Sequence, residues 1–359
     1  VANFRESLQE ELFTLQQQLL SGNVQIGNYH YFTIYDPKER LICASSFPER
    51  VLQHAIMNIC HPVFEKYQIY DSYACRVSKG TYAALEKAKQ LARQNTYFAK
   101  LDVRKYFETI DHNLLKLQLS HLFKDKKLLQ IFIQIIDSYA NAPQKGLPIG
   151  NLSSQYFANH FLGKADHYIK EQLQVKAYLR YMDDMVIFGA SLEEVKFLAQ
   201  QYCSYLTRNL KCEMKPHVIN SLAHGLPFLG YVVYPHRIGL AKRSRKRFRR
   251  KSRQLYHHLS TQKIDQAEFQ RKMLPLLAFV EKSDAHVFQK KVILGLEDRT
   301  VCCVAVAGTI MLTTAVWRTV TGTILITGTG ITAFALLLRC PSSNNGPGKG
   351  HAGWLYPYI

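Results

Sequence analysis

The 359-residue sequence lacks the features that mark several classes of protein. Its eight cysteines include no Cys-x-x-Cys pair, which argues against zinc sites and a disulfide framework and favours a reduced, cytoplasmic setting. Residues 1–22 have no apolar stretch of the kind found in a secretory signal, so we expect no signal peptide there. No repeat period stands out, which argues against a solenoid or propeller.

Acidic residues are scarce relative to basic ones. The chain has 27 Asp and Glu against 46 Lys and Arg, a formal net charge of +19. Such an excess is typical of proteins that bind a polyanion, either nucleic acid or an anionic membrane. Because 47% of the residues are hydrophobic, wholesale disorder is excluded, and the length suits about two domains.

Residues 300–359 contain no Asp or Glu at all, whereas residues 1–299 hold 43 basic and all 27 acidic residues. We therefore expect residues 1–299 to form the functional body. Within the apolar, Thr-rich stretch 301–338, Thr319–Leu338 is twenty uncharged residues, long enough to span a membrane. This stretch is rich in β-branched residues and interrupted by glycines, unlike the sequence of a typical membrane-spanning helix. Membrane attachment is therefore the weaker interpretation.

The apolar spacing of the body alternates between helical and strand periods, which predicts a mixed α+β fold. Predicted helices are Phe47–Tyr67, Tyr82–Gln94, His112–Leu122, Ser153–Gln172, Ser191–Leu210 and most of Arg253–Lys290. Predicted strands are Tyr97–Val103, Tyr178–Tyr181, Met185–Phe188 and Phe228–Val233. The second and third strands flank Met182-Asp183-Asp184, which indicates a hairpin.

Three carboxylates carry the candidate chemistry. Asp102 follows a strand, and Asp183 and Asp184 lie together at the hairpin tip. Adjacent carboxylates raise one another's pKa unless a cation lies between them. Mg²⁺ suits oxygen ligands and substrate phosphates, and two such ions about 3.5–4 Å apart can promote phosphoryl transfer. A bare Asp-Asp pair is more often a solvated turn, but the apolar run Met185–Phe188 favours the metal site.

The sequence Tyr181-Met182-Asp183-Asp184 resembles the YxDD signature of reverse transcriptases, and the resemblance covers roughly residues 25–290. Four further blocks resemble the fingers, first catalytic, template-contacting and primer-grip blocks of that family, in the order the family requires. They are Arg76–Thr81, Leu101–Phe107, Gly146–Gln155 and Gly225–Tyr231. A match to one block alone would be weak evidence for the family, but five matching blocks in the family's order are specific to it.

The resemblance implies a right-hand polymerase with fingers, palm and thumb, an antiparallel palm sheet and a helical thumb. It implies an RNA-directed DNA polymerase, a nucleotidyltransferase that uses two Mg²⁺ ions, dNTPs, a template RNA and the RNA/DNA hybrid. The implied organisation is an N-terminal helical segment (1–24), fingers and palm (25–235), a basic helical thumb (236–298) and a tail (299–359) that is not a folded domain.

Residue roles follow from the same resemblance. Asp102 and Asp183 would be the principal catalytic and metal-binding carboxylates, with Asp184 in support and Val103 contributing its backbone to the metal site. The implied nucleotide-binding residues are Arg76, Lys79, Arg104, Lys105, Tyr106, Phe107, Ile149, Gly150 and Gln155. The implied primer- and template-binding residues are Tyr181, Met182, Phe228, Leu229, Gly230, Tyr231, Arg245, Arg249 and Arg250.

Several of these roles have structural alternatives. Phe107 would be the steric gate that excludes a ribose 2′-hydroxyl, or else a core residue. Arg76 and Lys79 would grip the incoming phosphates, or else form a solvated basic turn. Lys211 or Lys215 would protonate the leaving pyrophosphate, and the sequence does not choose between them.

The run Lys242–Arg253 holds nine cations in twelve positions. It follows the primer-grip block, where a thumb would begin, and would bind a duplex with strong salt dependence because binding releases counterions. A solvated linker and a localisation signal are the alternatives.

The stretch Leu147–Asn159, LPIGNLSSQYFAN, resembles the reverse transcriptases of diversity-generating retroelements, which copy a template repeat with errors at adenines into a variable gene. This resemblance implies a bacterial or phage setting, a structured template RNA and a basic, oligomeric accessory protein. Many such polymerases have Gln where this chain has Ile149. An apolar side chain there would loosen base discrimination, because it cannot hydrogen-bond the nucleotide.

The tail departs from that family. Its Thr and Ile codons, read in a shifted frame, encode Asn, Asp, His or Tyr, and its Gly codons can encode Arg, so the tail can encode the Asn-rich sequence of a template repeat. We therefore interpret residues from about 300 onward as out-of-frame repeat sequence.

Two rival functions remain at this point. One is a retron or phage-defence reverse transcriptase, although the Val-Thr-Gly typical of retrons occurs only in the tail, at 320–322. The other is a non-catalytic RNA-binding module on a polymerase fold, against which the three intact carboxylates argue.

Overall fold

The computed structural model describes residues 2–35 and 38–297. Contacts divide the chain into one unit of residues 1–290 and a second of residues 291–359, of which only 291–297, the end of one helix, are described. The tail 299–359 lies outside the described residues, and so do the two hypotheses about it, membrane attachment and out-of-frame repeat sequence. Among the described residues no helix is long and apolar enough to cross a membrane.

The helices are α1 (Ala2–Glu6), α2 (Leu8–Ser21), α3 (Phe47–Tyr67), α4 (Thr81–Gln94), α5 (Tyr106–Thr109), α6 (His112–Leu122), α7 (Lys126–Asp137), α8 (Leu152–Phe161), α9 (Gly163–His167), α10 (Leu192–Leu210), α11 (Lys242–Ser260), α12 (Gln266–Glu281) and α13 (His286–Glu297). The strands are β1 (Tyr29–Ile34), β2 (Arg40–Ser45), β3 (Tyr97–Asp102), β4 (Tyr178–Tyr181), β5 (Asp184–Gly189), β6 (Val218–Ser221), β7 (Leu226–Phe228), β8 (Tyr231–Val233) and β9 (Ile238–Leu240). A π-helical turn covers Tyr168–Gln172, and a 3₁₀ turn covers Leu222–His224.

The central sheet is antiparallel, with strand order β4-β5-β3-β6. Residues Met185–Phe188 of β5 are all buried, so both faces of this strand are covered, as a continuous apolar run predicts. Helix α10 packs against β3 and β5, and α4 against β4. This arrangement confirms the predicted α+β class with an antiparallel palm sheet.

Side-chain caps fix where several helices begin. Ser46 accepts a hydrogen bond from the Glu49 amide, Asp111 from the Leu114 amide, and Ser191 from the Glu194 amide. Each cap of this kind contributes about 1 kcal/mol. The predictions of Phe47–Tyr67 and His112–Leu122 are confirmed at both ends, since cap and apolar period agree there.

The prediction of one strand over Phe228–Val233 is wrong. The chain reverses after Phe228, and β7 pairs with β8 across Leu229 and Gly230. Both turn residues have positive φ, 49° and 86°, as the tight turn that matches strand twist requires. An apolar Leu in the first turn position hides the reversal from a hydrophobicity pattern.

The predicted helix Ser153–Gln172 is instead three successive segments, α8, α9 and the π-helical turn. The break lies at Leu162–Gly163, where a Cβ on Gly163 would come within 2.7 Å of Tyr67 Cε1. The close approach to α3 therefore requires glycine. Apolar spacing continues through the break and does not signal it.

The hairpin β1–β2 is joined to the segment before α8. The Cys43 amide donates to the Ile149 carbonyl at 2.7 Å. The Asn151 side chain accepts from the Ser45 amide at 3.0 Å and donates to the Cys43 carbonyl at 2.9 Å. A Cβ on Gly150, whose φ is 124°, would lie 2.8 Å from Ile42 Cγ2.

The basic run Lys242–Arg253 forms the first three turns of α11, which contradicts the linker alternative. Phe248, Ser252 and Tyr256 recur at intervals of four and are buried. This face packs on α12, where the Tyr256 and Phe269 rings lie 5.1 Å apart. The amphipathic spacing therefore determines the helix despite its charge.

Candidate active site

A two-residue turn, Met182-Asp183, joins β4 to β5 between the paired residues Tyr181 and Asp184. Met182 has a φ of 52°, a conformation that costs a non-glycine residue about 1–3 kcal/mol. Residues in such conformations cluster at functional sites, where the surrounding structure holds them. The turn places Asp183 at the end of the central sheet.

Asp102, the last residue of β3, is paired with Asp184, the first residue of β5. Residues paired in this way have Cα atoms about 4.5–5.5 Å apart. The structure therefore brings together the three carboxylates that the sequence singled out, although Asp102 and Asp183 are 81 residues apart in the chain.

The three carboxylates lie close together, and nearby positive charges balance their negative charges only in part. Burial, together with the charges of Asp102 and Asp184, raises the pKa of Asp183 to about 6, while Lys215 acts in the opposite direction. A positive charge placed beside Asp183 would lower this pKa again.

Two lysines neutralise the other carboxylates. The Lys215 ammonium lies 2.7 and 2.8 Å from the two carboxylate oxygens of Asp102. The Lys100 ammonium lies 2.9 Å from Asp184 Oδ1. Sequence reasoning missed Lys100, although its position two residues before Asp102 on one strand, and thus on the same face, was the available signal.

The donor set fits a hard divalent cation. The residues are carboxylates at one sheet end, beside the backbone of the buried Val103, and oxygen ligands are what Mg²⁺ prefers. Within the described residues, no three His, Cys, Asp or Glu side chains are grouped closely enough to hold a metal ion as they stand. Lys215 and Lys100 are the cations that contact Asp102 and Asp184 here.

Lys215 and Lys211 are distinguished by their partners. Lys215 contacts Asp102, whereas the Lys211 ammonium lies 2.8 Å from Asp111 Oδ2 at the start of α6. The structure therefore places Lys215, and not Lys211, in the carboxylate cluster.

Arg76 and Lys79 are engaged with protein groups. Arg76 donates to Glu65 Oε1 at 2.9 and 2.7 Å and to the Ser72 carbonyl at 3.0 Å. The Lys79 ammonium contacts the Tyr70 carbonyl and lies 3.9 Å from the Tyr70 ring centre. Burial lowers the pKa of Lys79 to about 8. Either cation would have to exchange these partners to hold a triphosphate.

The residues after Asp102 divide between surface and core. Arg104 and Lys105 are exposed and pair with Glu213 and Glu108. Tyr106 is buried and its hydroxyl donates to the Ala158 carbonyl, so the structure places its side chain in the core. Phe107 is half-buried and packs against the core with its ring 5.8 Å from that of Tyr106.

The remaining predicted nucleotide contacts lie near β2 and α8. Ile149 and Gly150 are half-buried, and Ile149 is joined to β2 through its carbonyl. Gln155, on α8, accepts a hydrogen bond from the Cys75 thiol at 3.3 Å. Cys75 immediately precedes Arg76, so this contact links two of the predicted nucleotide blocks.

The predicted primer-grip residues form the β7–β8 hairpin. Phe228 and Tyr231 are buried, and the Tyr231 hydroxyl donates to the Phe279 carbonyl at 2.7 Å. Gly230 at the tip is exposed, and its carbonyl accepts from the Ser244 hydroxyl of α11 at 2.6 Å. The hairpin is therefore attached to the basic helix.

Arg245, Arg249 and Arg250 are exposed on α11. The guanidinium carbons of Arg245 and Arg249 lie 5.7 and 5.6 Å from the Phe288 ring centre, which fixes both heads by cation–π attraction. Residues 242–264 contain no acidic residue, so this surface is strongly positive.

Comparison with known proteins gives one family. The family model described as reverse transcriptase (RNA-dependent DNA polymerase) matches residues 36–233. Two curated proteins of Saccharomyces cerevisiae are similar. The putative COX1/OXI3 intron 2 protein is 25% identical over 134 residues, 35% of this chain and 16% of that protein. The putative COX1/OXI3 intron 1 protein is 21% identical over 170 residues, 45% of this chain and 20% of that protein.

Among solved structures, a telomerase of Candida tropicalis in complex with a TWJ fragment of telomeric RNA is similar with a TM-score of 0.49 and 12% identity, over 82% of this chain and 58% of that chain. An apo telomerase of Candida tropicalis, truncated from its C-terminal domain, is similar with a TM-score of 0.47 and 13% identity, over 64% and 59%. The chain spans a fifth or less of the curated relatives and under two thirds of these structures.

Proposed function

This chain belongs to the reverse transcriptase (RNA-dependent DNA polymerase) family, whose right-hand polymerase fold it shares, and from this premise we propose that it copies a template RNA into DNA. In the proposed reaction a primer 3′-hydroxyl attacks the α-phosphate of a dNTP and releases pyrophosphate. The observation that carries the proposal is the meeting of Asp102, Asp183 and Asp184 at one end of the β3–β5 pair.

Divalent ions complete the proposed site. Asp102, Asp183 and the Val103 backbone would hold two Mg²⁺, with Asp184 in support, and the bound ions would supply Lewis acidity to the attacking and leaving oxygens. The chain's own contribution is positional, since the strained turn orients Asp183 and the β3–β5 pairing fixes Asp102. Lys215, next to Asp102, would donate a proton to the leaving pyrophosphate.

The triphosphate would lie along the backbone of Val103–Lys105, with the exposed side chains of Arg104 and Lys105 beside it. Arg76 and Lys79 would reach it after exchanging their present partners. Phe107 would act as the steric gate against a 2′-hydroxyl, because it is only half-buried and lies two residues after this segment.

Primer extension tests the proposed function. The full chain, supplied with Mg²⁺, dNTPs and a primed RNA template, should extend the primer, and chelation of Mg²⁺ should stop extension. RNA binding without any extension would refute the polymerase and favour the rival RNA-binding module.

Helix α11 is the proposed duplex contact. Its exposed cations recur at intervals of three and four residues, so neighbours lie about 5–6 Å apart. A row with this spacing would follow one phosphate backbone of the RNA/DNA hybrid. Contacts of this kind are independent of sequence and weaken with salt.

Replacing Arg245, Arg249 and Arg250 together by Gln should weaken hybrid binding and flatten its salt dependence. Each lost phosphate contact lowers the slope of log affinity against log salt by about 0.7–0.9, so three lost contacts give a change of about 2–3. Fluorescence anisotropy of a labelled hybrid across a salt series measures this slope.

The matched control replaces Lys124, Lys126 and Lys127 by Gln, with the same change in net charge at exposed positions before and within α7. An equal change of slope in the control would mean that net charge, and not α11, determines binding. Thermal melting checks that loss of the Phe288 contacts has not unfolded the thumb.

We further propose that this is the error-prone enzyme of a diversity-generating retroelement, working with a basic accessory protein. The stretch Leu147–Gln155 supports this subtype. The similarity to two yeast intron proteins favours a second candidate, an intron-encoded reverse transcriptase. The two candidates differ in their expected fidelity at template adenine.

Replacing Ile149 by Gln should lower misincorporation opposite template adenine. The amide would add a hydrogen bond to the correct pair, and one such bond of about 1 kcal/mol corresponds to roughly fivefold in discrimination. Sequencing of cDNA copied from a defined template measures the error spectrum. An unchanged spectrum would make Ile149 a packing residue, and low adenine error in the wild type would favour the intron-type candidate.

A further inference from the structure

Arg180, the residue before Tyr181 on β4, is the largest fully buried side chain among the described residues. Its guanidinium forms a bidentate pair with Asp166 of α9, also fully buried, with contacts of 2.9, 2.8 and 2.6 Å. Burial alone would lower the pKa of Arg180, but the Asp166 carboxylate raises it above its ordinary value. The guanidinium of Arg180 therefore stays charged inside the protein.

The remaining donors of Arg180 reach four acceptor atoms on three residues outside this pair. Nη1 donates to Asn159 Oδ1 at 2.8 Å and to the Met182 carbonyl at 3.1 Å, and Nη2 donates to the Asn159 carbonyl at 3.1 Å and to Gln68 Oε1 at 3.2 Å. All five N–H groups of the guanidinium thus have partners. One of these partners is the backbone of the turn that carries Asp183.

The backbone of Arg180 is held as well. Its amide donates to the Asp71 carbonyl at 2.9 Å, and its own carbonyl accepts from the Tyr73 amide at 2.9 Å. The segment Asp71–Tyr73 continues into the loop of Arg76 and Lys79. One residue therefore connects this loop, α8, α9 and the catalytic turn.

Stability alone does not explain such a pair. A buried ion pair is often replaced by apolar residues of similar volume without loss of stability, because desolvation offsets the attraction. What an apolar pair would lack is a donor for the carbonyl of Met182, which is itself in the left-handed region. A charged hydrogen bond to that carbonyl opposes relaxation of the strained turn.

We propose that Arg180, held by Asp166, is a positioning residue that fixes the Met182–Asp183 turn against Asp102. This role deepens the proposed polymerase function and rests on it. Arg180 does not touch the reacting atoms, since it is fully buried behind the turn. It sets where Asp183 lies and how far the turn can move.

The test compares two variants with the wild-type chain. Arg180→Met combined with Asp166→Leu removes the ion pair without leaving a buried charge, and Arg180→Lys keeps the charge but loses the fork that reaches both Asp166 and Met182. Both should show a lower kcat with unchanged KM for primer–template. A displacement of about 1 Å at a catalytic group costs roughly 100-fold, which we expect for the double variant.

Hydrogen exchange provides a readout that does not depend on activity. Amide exchange at Met182–Asp184 should accelerate in both variants, while exchange in the buried centre of β5 should stay as in the wild type. Gln68→Ala is the matched control, because it removes one contact of Arg180 without touching the turn. It should keep kcat within about twofold and leave turn exchange unchanged.

The outcomes separate the alternatives. If the double variant melts cooperatively and keeps wild-type kcat and turn exchange, the positioning role is overturned. If the double variant does not fold, wild-type kcat and turn exchange in Arg180→Lys would overturn the positioning role instead. An equal loss in Gln68→Ala would indicate general packing and overturn the proposal. A wild-type chain that extends no primer would refute the polymerase function, whereas turn exchange would still test the role of Arg180.

Discussion

Asp183→Asn should abolish primer extension, with a loss of about 10³-fold or more, while the protein stays folded. Asp183 is the carboxylate that the turn presents at the sheet end, and a neutral amide would hold metal ions poorly, so the cations that would stabilise the transition state would be lost. Because Asp183 is surrounded by Asp102 and Asp184, the neutral amide also relieves repulsion. The melting temperature should therefore be equal or higher.

Single-nucleotide extension at saturating Mg²⁺ measures the loss, and circular dichroism measures the melting temperature. Asp137→Asn is the matched control, because Asp137 lies at the exposed end of α7 and pairs with Lys116. It should extend primers at the wild-type rate. Extension by Asp183→Asn at a rate close to that of the wild type would refute the assignment of the catalytic cluster.

Lys215→Met should lower the extension rate by about 100-fold, because general acid catalysis typically contributes 10²–10⁴-fold. The Lys215 ammonium lies 2.7 Å from Asp102 Oδ1, within the proposed catalytic cluster. Rapid-quench kinetics of single-nucleotide extension measures the rate.

Lys211→Met is the control for this prediction, four residues away and paired with Asp111 instead. Its rate should stay within about threefold of the wild type. If Lys215 only neutralises Asp102, raising the Mg²⁺ concentration should restore the rate of Lys215→Met. A rate that stays low at saturating Mg²⁺ supports proton donation, and equal losses in both variants would contradict it.

The carboxylate cluster was predictable because its signals are local. Tyr181–Asp184 followed by an apolar run indicates a hairpin tip, and Asp102 ends a strand of clear period. Pairing those strands in an antiparallel sheet brings the residues together without knowledge of the rest of the fold.

The buried Arg180–Asp166 ion pair next to the carboxylate cluster was not predictable. Arg180 lies in a strand of apolar neighbours, and its partner Asp166 is 14 residues earlier, in a helix whose spacing shows nothing unusual. Buried ion pairs depend on three-dimensional packing, which has no periodic signature. The same reason hid the engagement of Arg76 by Glu65.

Backbone conformation explains the other misses. Leu229 adopts a positive φ that the sequence does not announce, and the break at Leu162 occurs within continuous apolar spacing. Two elements predicted as continuous are therefore interrupted. In the helix the interruption lies where a tertiary contact, that of Gly163 with Tyr67, outweighs the local helical preference.

The attachment of β2 to Ile149–Asn151 couples the β1–β2 hairpin to the segment before α8. Three hydrogen bonds join the two segments, and there is no room for a side chain at Gly150. A displacement of β1–β2 should therefore displace Ile149 and Gly150 as well, the residues that we propose to contact the nucleotide.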